Sequence, residues 1–60
     1  MAKVKAVRVR RGIRPAELAR ILKVSRAAVC NIEKKGIHSI STAKKYAAAL
    51  GCPAIELIEV

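Results

Sequence analysis

The chain has 60 residues, and thirteen Lys and Arg stand against four acids, for a formal net charge of +9 and a pI of about 10.4. A chain this short buries only about 60% of its unfolded surface. Its single Tyr and lack of Trp and Phe force an aliphatic, alanine-rich core. No apolar run reaches the length of a membrane span and no secretion signal opens the chain, so a membrane protein is excluded and a cytoplasmic home is expected.

The charge is one-sided. All thirteen bases lie between Lys3 and Lys45, where the only acids are Glu17 and Glu33; residues 46–60 hold Glu56 and Glu59 and no base. A strongly basic domain with clustered Lys and Arg suits a polyanion. Two cysteines, Cys30 and Cys52, are too few and too far apart for a disulfide framework or a zinc site, so reduced thiols are expected, with no cofactor. Catalysis is not expected either: there is no carboxylate pair, no nucleophile with a His partner and no metal cluster. No small-molecule substrate is implied. One aromatic residue is too few for binding single strands by base stacking.

In chain order, residues 1–11 fit two patterns. Val4 and Val7 share a helix face, whereas Val7 and Val9 alternate with Arg8 and Arg10 as in a strand. Gly12 suits a C-terminal cap. Pro15 suits the first position of the next helix, with Glu17 in its first turn, where a negative charge favours the dipole. Leu18, Ala19, Ile21 and Leu22 give that helix an apolar face. Lys23 and Val24 make a turn, and Ser25 is a good N-cap for the following helix. There Ala28, Val29 and Ile32 face inward, while Arg26, Ala27, Cys30, Asn31 and Lys34 face outward. Lys34, Lys35 and Gly36 end it. Ser39 can cap a fourth helix from about Ile40 to Leu50, in which Ile40, Ala43, Ala47 and Leu50 sit at helical spacing with Tyr46 beside them as a core residue. Gly51 stops it, and Pro53 begins a short last helix holding Ile55, Leu57 and Ile58. The expectation is a single all-α domain, residues 1–60, of five short helices.

These residues resemble the Cro/C1-type helix-turn-helix family. Val4, Val7 and Arg8 followed by Gly12 are similar to its first helix. Glu17-Leu18-Ala19 is similar to its "ELA" signature, Val24-Ser25 to its "VS" turn, and Val29 with Ile32-Glu33 to its "I..IE" pattern. Ser39-Ile40, Ala47 to Gly51, and Glu56-Leu57 are similar to its closing helices. The resemblance implies a lambda-repressor-like fold with the motif at about 15–34, and it selects helix for residues 1–11. It also implies a sequence-specific, double-stranded DNA-binding regulator, a repressor acting as a homodimer on a two-fold operator.

The recognition helix, about Arg26 to Lys34, would enter the major groove. Ser25, Arg26, Ala27, Cys30 and Asn31 are the candidate base contacts, because Arg can pair with guanine and Asn with adenine. Arg10, Arg11, Arg14, Lys34 and Lys35 are the candidate phosphate contacts, with Lys44 and Lys45 in the same role on the fourth helix. Arg8 and Glu33 are implied to form a structural ion pair. Ile55, Ile58 and Val60, in the segment without bases, are the candidate dimer interface. Two alternatives stand beside this reading. One is a protein-interaction module of the same fold, such as an antitoxin or anti-repressor partner; the other is a non-specific basic nucleic-acid-binding protein.

The chain departs from the family at three places. Lys23 stands where the turn often has Gly, Arg14-Pro15 replaces a Ser or Thr followed by Gln, and Gly36 comes one residue later than usual.

Overall fold

The computed structural model describes residues 2–59 of the chain. Four α-helices run α1 (Lys3–Arg10), α2 (Pro15–Leu22), α3 (Arg26–Lys35) and α4 (Ile40–Leu50), followed by a 3-10 turn at Ala54–Glu56. α2 packs on α3 and α4, and α1 lies across α3 and α4. No helix is long and apolar enough to cross a membrane.

α1 is helical because its buried residues follow the helical period. Val4, Val7 and Arg8 are buried, whereas Val9 is 54% exposed, so Val7 and Val9 do not share a face as a strand would require. Gly12 stands just past this helix at φ 69, a left-handed position that favours glycine. With the chain turned there, the Ile13 N–H reaches back to the Arg8 carbonyl at 3.1 Å.

The core joins Val4 and Val7 of α1, Leu18 and Ala19 of α2, Val29 of α3, and Ala43, Tyr46, Ala47 and Leu50 of α4. Ile37 and Leu57 close it from the loops. Tyr46, 6% exposed, is the one aromatic side chain among them. Burial pushes its phenol above the usual tyrosine range, and the Glu33 carboxylate adds to this.

Several sequence expectations change here. The fifth helix is a single 3-10 turn. Pro53 is extended, and Leu57 drops into the core. Ile58 then pairs with Ile37 in an isolated parallel bridge, which withdraws its backbone from any further helical turn. Ile21 and Ile40 do not face inward; they are 54% and 61% exposed. Leu18, Ala19 and Leu22 fill the inner face of α2 and leave Ile21 at its edge, while Ile40 is the first residue of α4. Ser39 takes the N-cap position of α4, but its hydroxyl is 2.9 Å from that of Ser41 rather than on a helix amide. Val60 lies outside the described residues.

Candidate nucleic-acid interface

α2 starts at Arg14, whose backbone is extended (φ −80, ψ 151), with Pro15 at the first helical position. The Arg14 N–H donates to Glu17 Oε1 at 3.3 Å, and the Arg14 residue is exposed. At the other end Lys23 sits in the left-handed region, φ 58 and ψ 42. The Val24 N–H donates to the Ala19 carbonyl at 3.0 Å and closes the turn. A lysine in this conformation costs roughly 1–2 kcal/mol. Ala19, only 5% exposed, occupies the inner face of α2 where it packs with α3, so its short side chain allows close approach.

Ser25 is extended, and its Oγ accepts the Ala28 N–H at 3.1 Å, which caps α3. The cap fixes the direction in which the helix leaves the turn. Val29 is fully buried beneath it. Arg26, Ala27, Cys30, Asn31 and Lys34 are all exposed. The i, i+4 and i, i+1 spacing among them places them on one side of α3. Small and polar side chains there leave the helix narrow enough to approach base edges, in a groove about 12 Å wide.

The back of the same helix is pinned by charge. Arg8 Nε lies 2.5 Å from Glu33 Oε2, its Nη2 lies 3.3 Å from Oε1, and its Nη1 donates to the Ile13 carbonyl at 2.7 Å. Both side chains are only 8% exposed. A forked, charge-assisted pair of this kind sets both distance and orientation. It ties α1, the loop after it and α3 into one unit.

The other bases divide into two places. Lys34 and Lys35 stand exposed in the last turn of α3, where cations favour the dipole, and His38 Nε2 lies 3.1 Å from the Lys35 carbonyl. Arg10 and Arg11 point elsewhere. Arg10 Nη2 is 3.9 Å from Glu56 Oε1, and Arg11 Nη1 lies 4.0 Å from where a Cβ on Gly51 would be. Arg10 therefore borders the 3-10 turn and Arg11 the C-terminal end of α4. Lys44 and Lys45 are exposed on α4, and Lys45 with Thr42 rims a groove formed by Ile21, Leu22, Val24, Ile32 and Tyr46.

Both cysteines are free, Cys30 exposed and Cys52 half-buried. Burial raises the Cys52 thiol and Glu56 adds to this, while Arg11 and Arg10 pull it back. Among the described residues no cluster of His, Cys, Asp or Glu could hold a metal ion.

Of the candidate dimer residues, Ile55 is 80% exposed, and Ile58 is half-buried with its backbone bridged to Ile37. The sequence reading missed the meeting of Lys3 and Glu59, from the two ends of the chain, beside Gly36. No local pattern marks them. The only hint was the shifted position of Gly36.

Two helices joined by a tight turn, the second capped by serine and polar on its free side, define a helix-turn-helix module. A family model described as helix-turn-helix matches residues 4–57. The chain belongs to the Cro/C1-type helix-turn-helix family, whose members are DNA-binding regulators. No curated protein and no solved structure matches it.

Proposed function

We propose that the chain is a sequence-specific transcriptional repressor that binds a two-fold operator as a homodimer. The observation that carries this is the free face of α3. Arg26, Ala27, Cys30, Asn31 and Lys34 stand exposed together behind a capped N-terminus, on a helix held from behind by Arg8 and Glu33. Arg26 reads guanine and Asn31 reads adenine, each pairing contributing about 1–3 kcal/mol of discrimination. Ala27 and Cys30 give the close approach that such contacts need. The Ser25 hydroxyl proton remains free for a base edge or a phosphate.

Arg14, at the start of α2, and Lys34 and Lys35, at the end of α3, hold the backbone on either side of the groove. Arg10 and Arg11 add to the positive field. Two copies meet through the C-terminal segment, with Ile55 at the centre of the contact, Ile58 beside it and Val60 following. Half-sites then lie about one helical turn apart. Such a regulator works in the cytoplasm with both thiols reduced.

Selection of bound sites from a random duplex pool tests this reading. The expected result is an enriched two-fold motif whose affinity falls with salt at a log–log slope near −0.9 per neutralised phosphate. Equal affinity for selected and random duplex would instead assign a non-specific packaging role. One observation favours a second reading. The groove between α2, α3 and α4 exposes Ile21 and Val24, a surface suited to a protein partner. A tight complex indifferent to salt, with no enriched duplex, would assign the chain to protein interaction.

A further inference from the structure

α1 begins without a local cap. Ala2 holds the N-cap position, and the first turn contains no acid. The carboxylate that serves this end comes from the far end of the chain. Glu59 Oε2 accepts the Lys3 amide N–H at 2.7 Å, and Lys3 Nζ donates to the Ile58 carbonyl at 3.0 Å. The Glu59 N–H donates to the Ile37 carbonyl at 2.7 Å. Ile37 is 1% exposed and Leu57 fully buried, so both sides of this contact are anchored in the core.

The Glu59 stem also covers Gly36. A Cβ on Gly36 would come within 2.7 Å of Glu59 Cγ. Gly36 stands at φ 84 and ψ 169, a conformation adopted essentially by glycine alone. Two independent constraints, backbone and contact, therefore demand glycine here. Gly36 is the residue by which the chain leaves α3, directly after Lys35. The clasp thus closes on the end of the recognition helix. Lys34 and Lys35 remain exposed, and neither is in the ion pairs found among the described residues.

We propose that Glu59 is a positioning residue for DNA binding. Its clasp with Lys3, Gly36 and Ile37 holds the last turn of α3 and the loop after it, so that Lys35 meets a phosphate in a preset geometry. This rests on the DNA-binding reading above. A loop already held loses less freedom on binding than one that the DNA must order.

The test titrates labelled selected and scrambled duplexes with the full chain over a salt series, at a temperature where circular dichroism shows every variant folded. The variants are Glu59→Ala, Glu59→Gln, Lys35→Ala and the Glu59→Ala/Lys35→Ala pair. Glu59→Ala is expected to weaken both duplexes several-fold, leave their ratio unchanged and flatten the salt slope by up to about 0.9. Glu59→Gln, whose amide oxygen can still accept the Lys3 N–H, is expected to bind near the parent level. A bare change of net charge would strengthen both variants alike, so this split separates positioning from charge. Lys35→Ala should cost affinity in the parent and little in the Glu59→Ala background. Additive losses in the double variant would overturn the proposal, as would a Glu59→Ala variant that binds like the parent. A parent chain that binds no duplex would overturn the DNA-binding reading itself.

Discussion

Removing Glu33 should cost this protein a large part of its stability. The Arg8 and Glu33 side chains are each 8% exposed, and Arg8 also donates from Nη1 to the Ile13 carbonyl. Glu33→Ala leaves the guanidinium in the core without its counter-charge, which costs about 3–5 kcal/mol. A 60-residue chain has a total stability of roughly 3–9 kcal/mol at ordinary values per residue. With about 8 °C lost per kcal/mol at this size, the melting temperature should fall by roughly 25–40 °C. The Arg8→Met/Glu33→Leu pair removes both charges and keeps the volume. It should be more stable than either single variant, short of the parent by about 1 kcal/mol for the Ile13 carbonyl left without its donor. Thermal melts by circular dichroism at one protein concentration decide the matter, since dimerisation would otherwise shift them. A fall of less than about 8 °C for Glu33→Ala, or a double variant weaker than both singles, would refute the argument that this pair holds α3 against α1.

Lys23→Gly should raise the melting temperature by a few degrees, because relief of about 1–2 kcal/mol of left-handed strain exceeds the roughly 0.5–1 kcal/mol of added chain entropy; Lys23→Val should lower it, and the reverse order would contradict a strained turn. Arg26→Ala should relax preference at one base position while Lys35→Ala weakens all duplexes alike, and equal losses on every duplex for both would mean that Arg26 touches only phosphate. Selected duplex should slow alkylation of Cys30 and leave Cys52 unchanged, the latter slow throughout because burial hides and raises its thiol; undiminished labelling of Cys30 in the complex would remove α3 from the interface. Tyr46 is the sole strong near-ultraviolet absorber and can be titrated at 295 nm. Its phenol is raised in the folded state, so its stabilisation is full below the ordinary value near 10 and is lost as pH rises through the folded value. Tyr46→Phe should flatten the alkaline loss of stability, and a folded chain titrating at the ordinary value would contradict the burial.

Much of the motif was legible because its signals are local. Pro15, Ser25, Gly12 and the spacing of Leu18, Ala19, Val29 and Ile32 each act within one or two turns of the chain, where propensity, capping and period decide. The outer face of α3 follows from the same period, since fixing Val29 inward sends Ala27, Asn31 and Lys34 to the opposite side. The amphipathic period was less able to rank edges. Ile21 and Ile40 are as apolar as their buried neighbours, and only the packing of α2 and α4 shows that nothing covers them.

For residues 3–10 the alternation of valine and arginine left helix and strand open on periodicity, and family resemblance chose helix. The tertiary structure supplies the physical reason, since the core accepts Val4, Val7 and Arg8 on one side. The charge balance, the serine-capped second helix and the glycine stops are properties of the sequence alone. They determine a basic, all-helical chain with one helix free to meet a groove. What required the folded chain was every contact between distant segments: Arg8 with Glu33, the directions taken by Arg10 and Arg11, and the meeting of Lys3, Gly36 and Glu59. Such contacts depend on where helices cross, and one-dimensional patterning carries the period of a helix but not its position beside another.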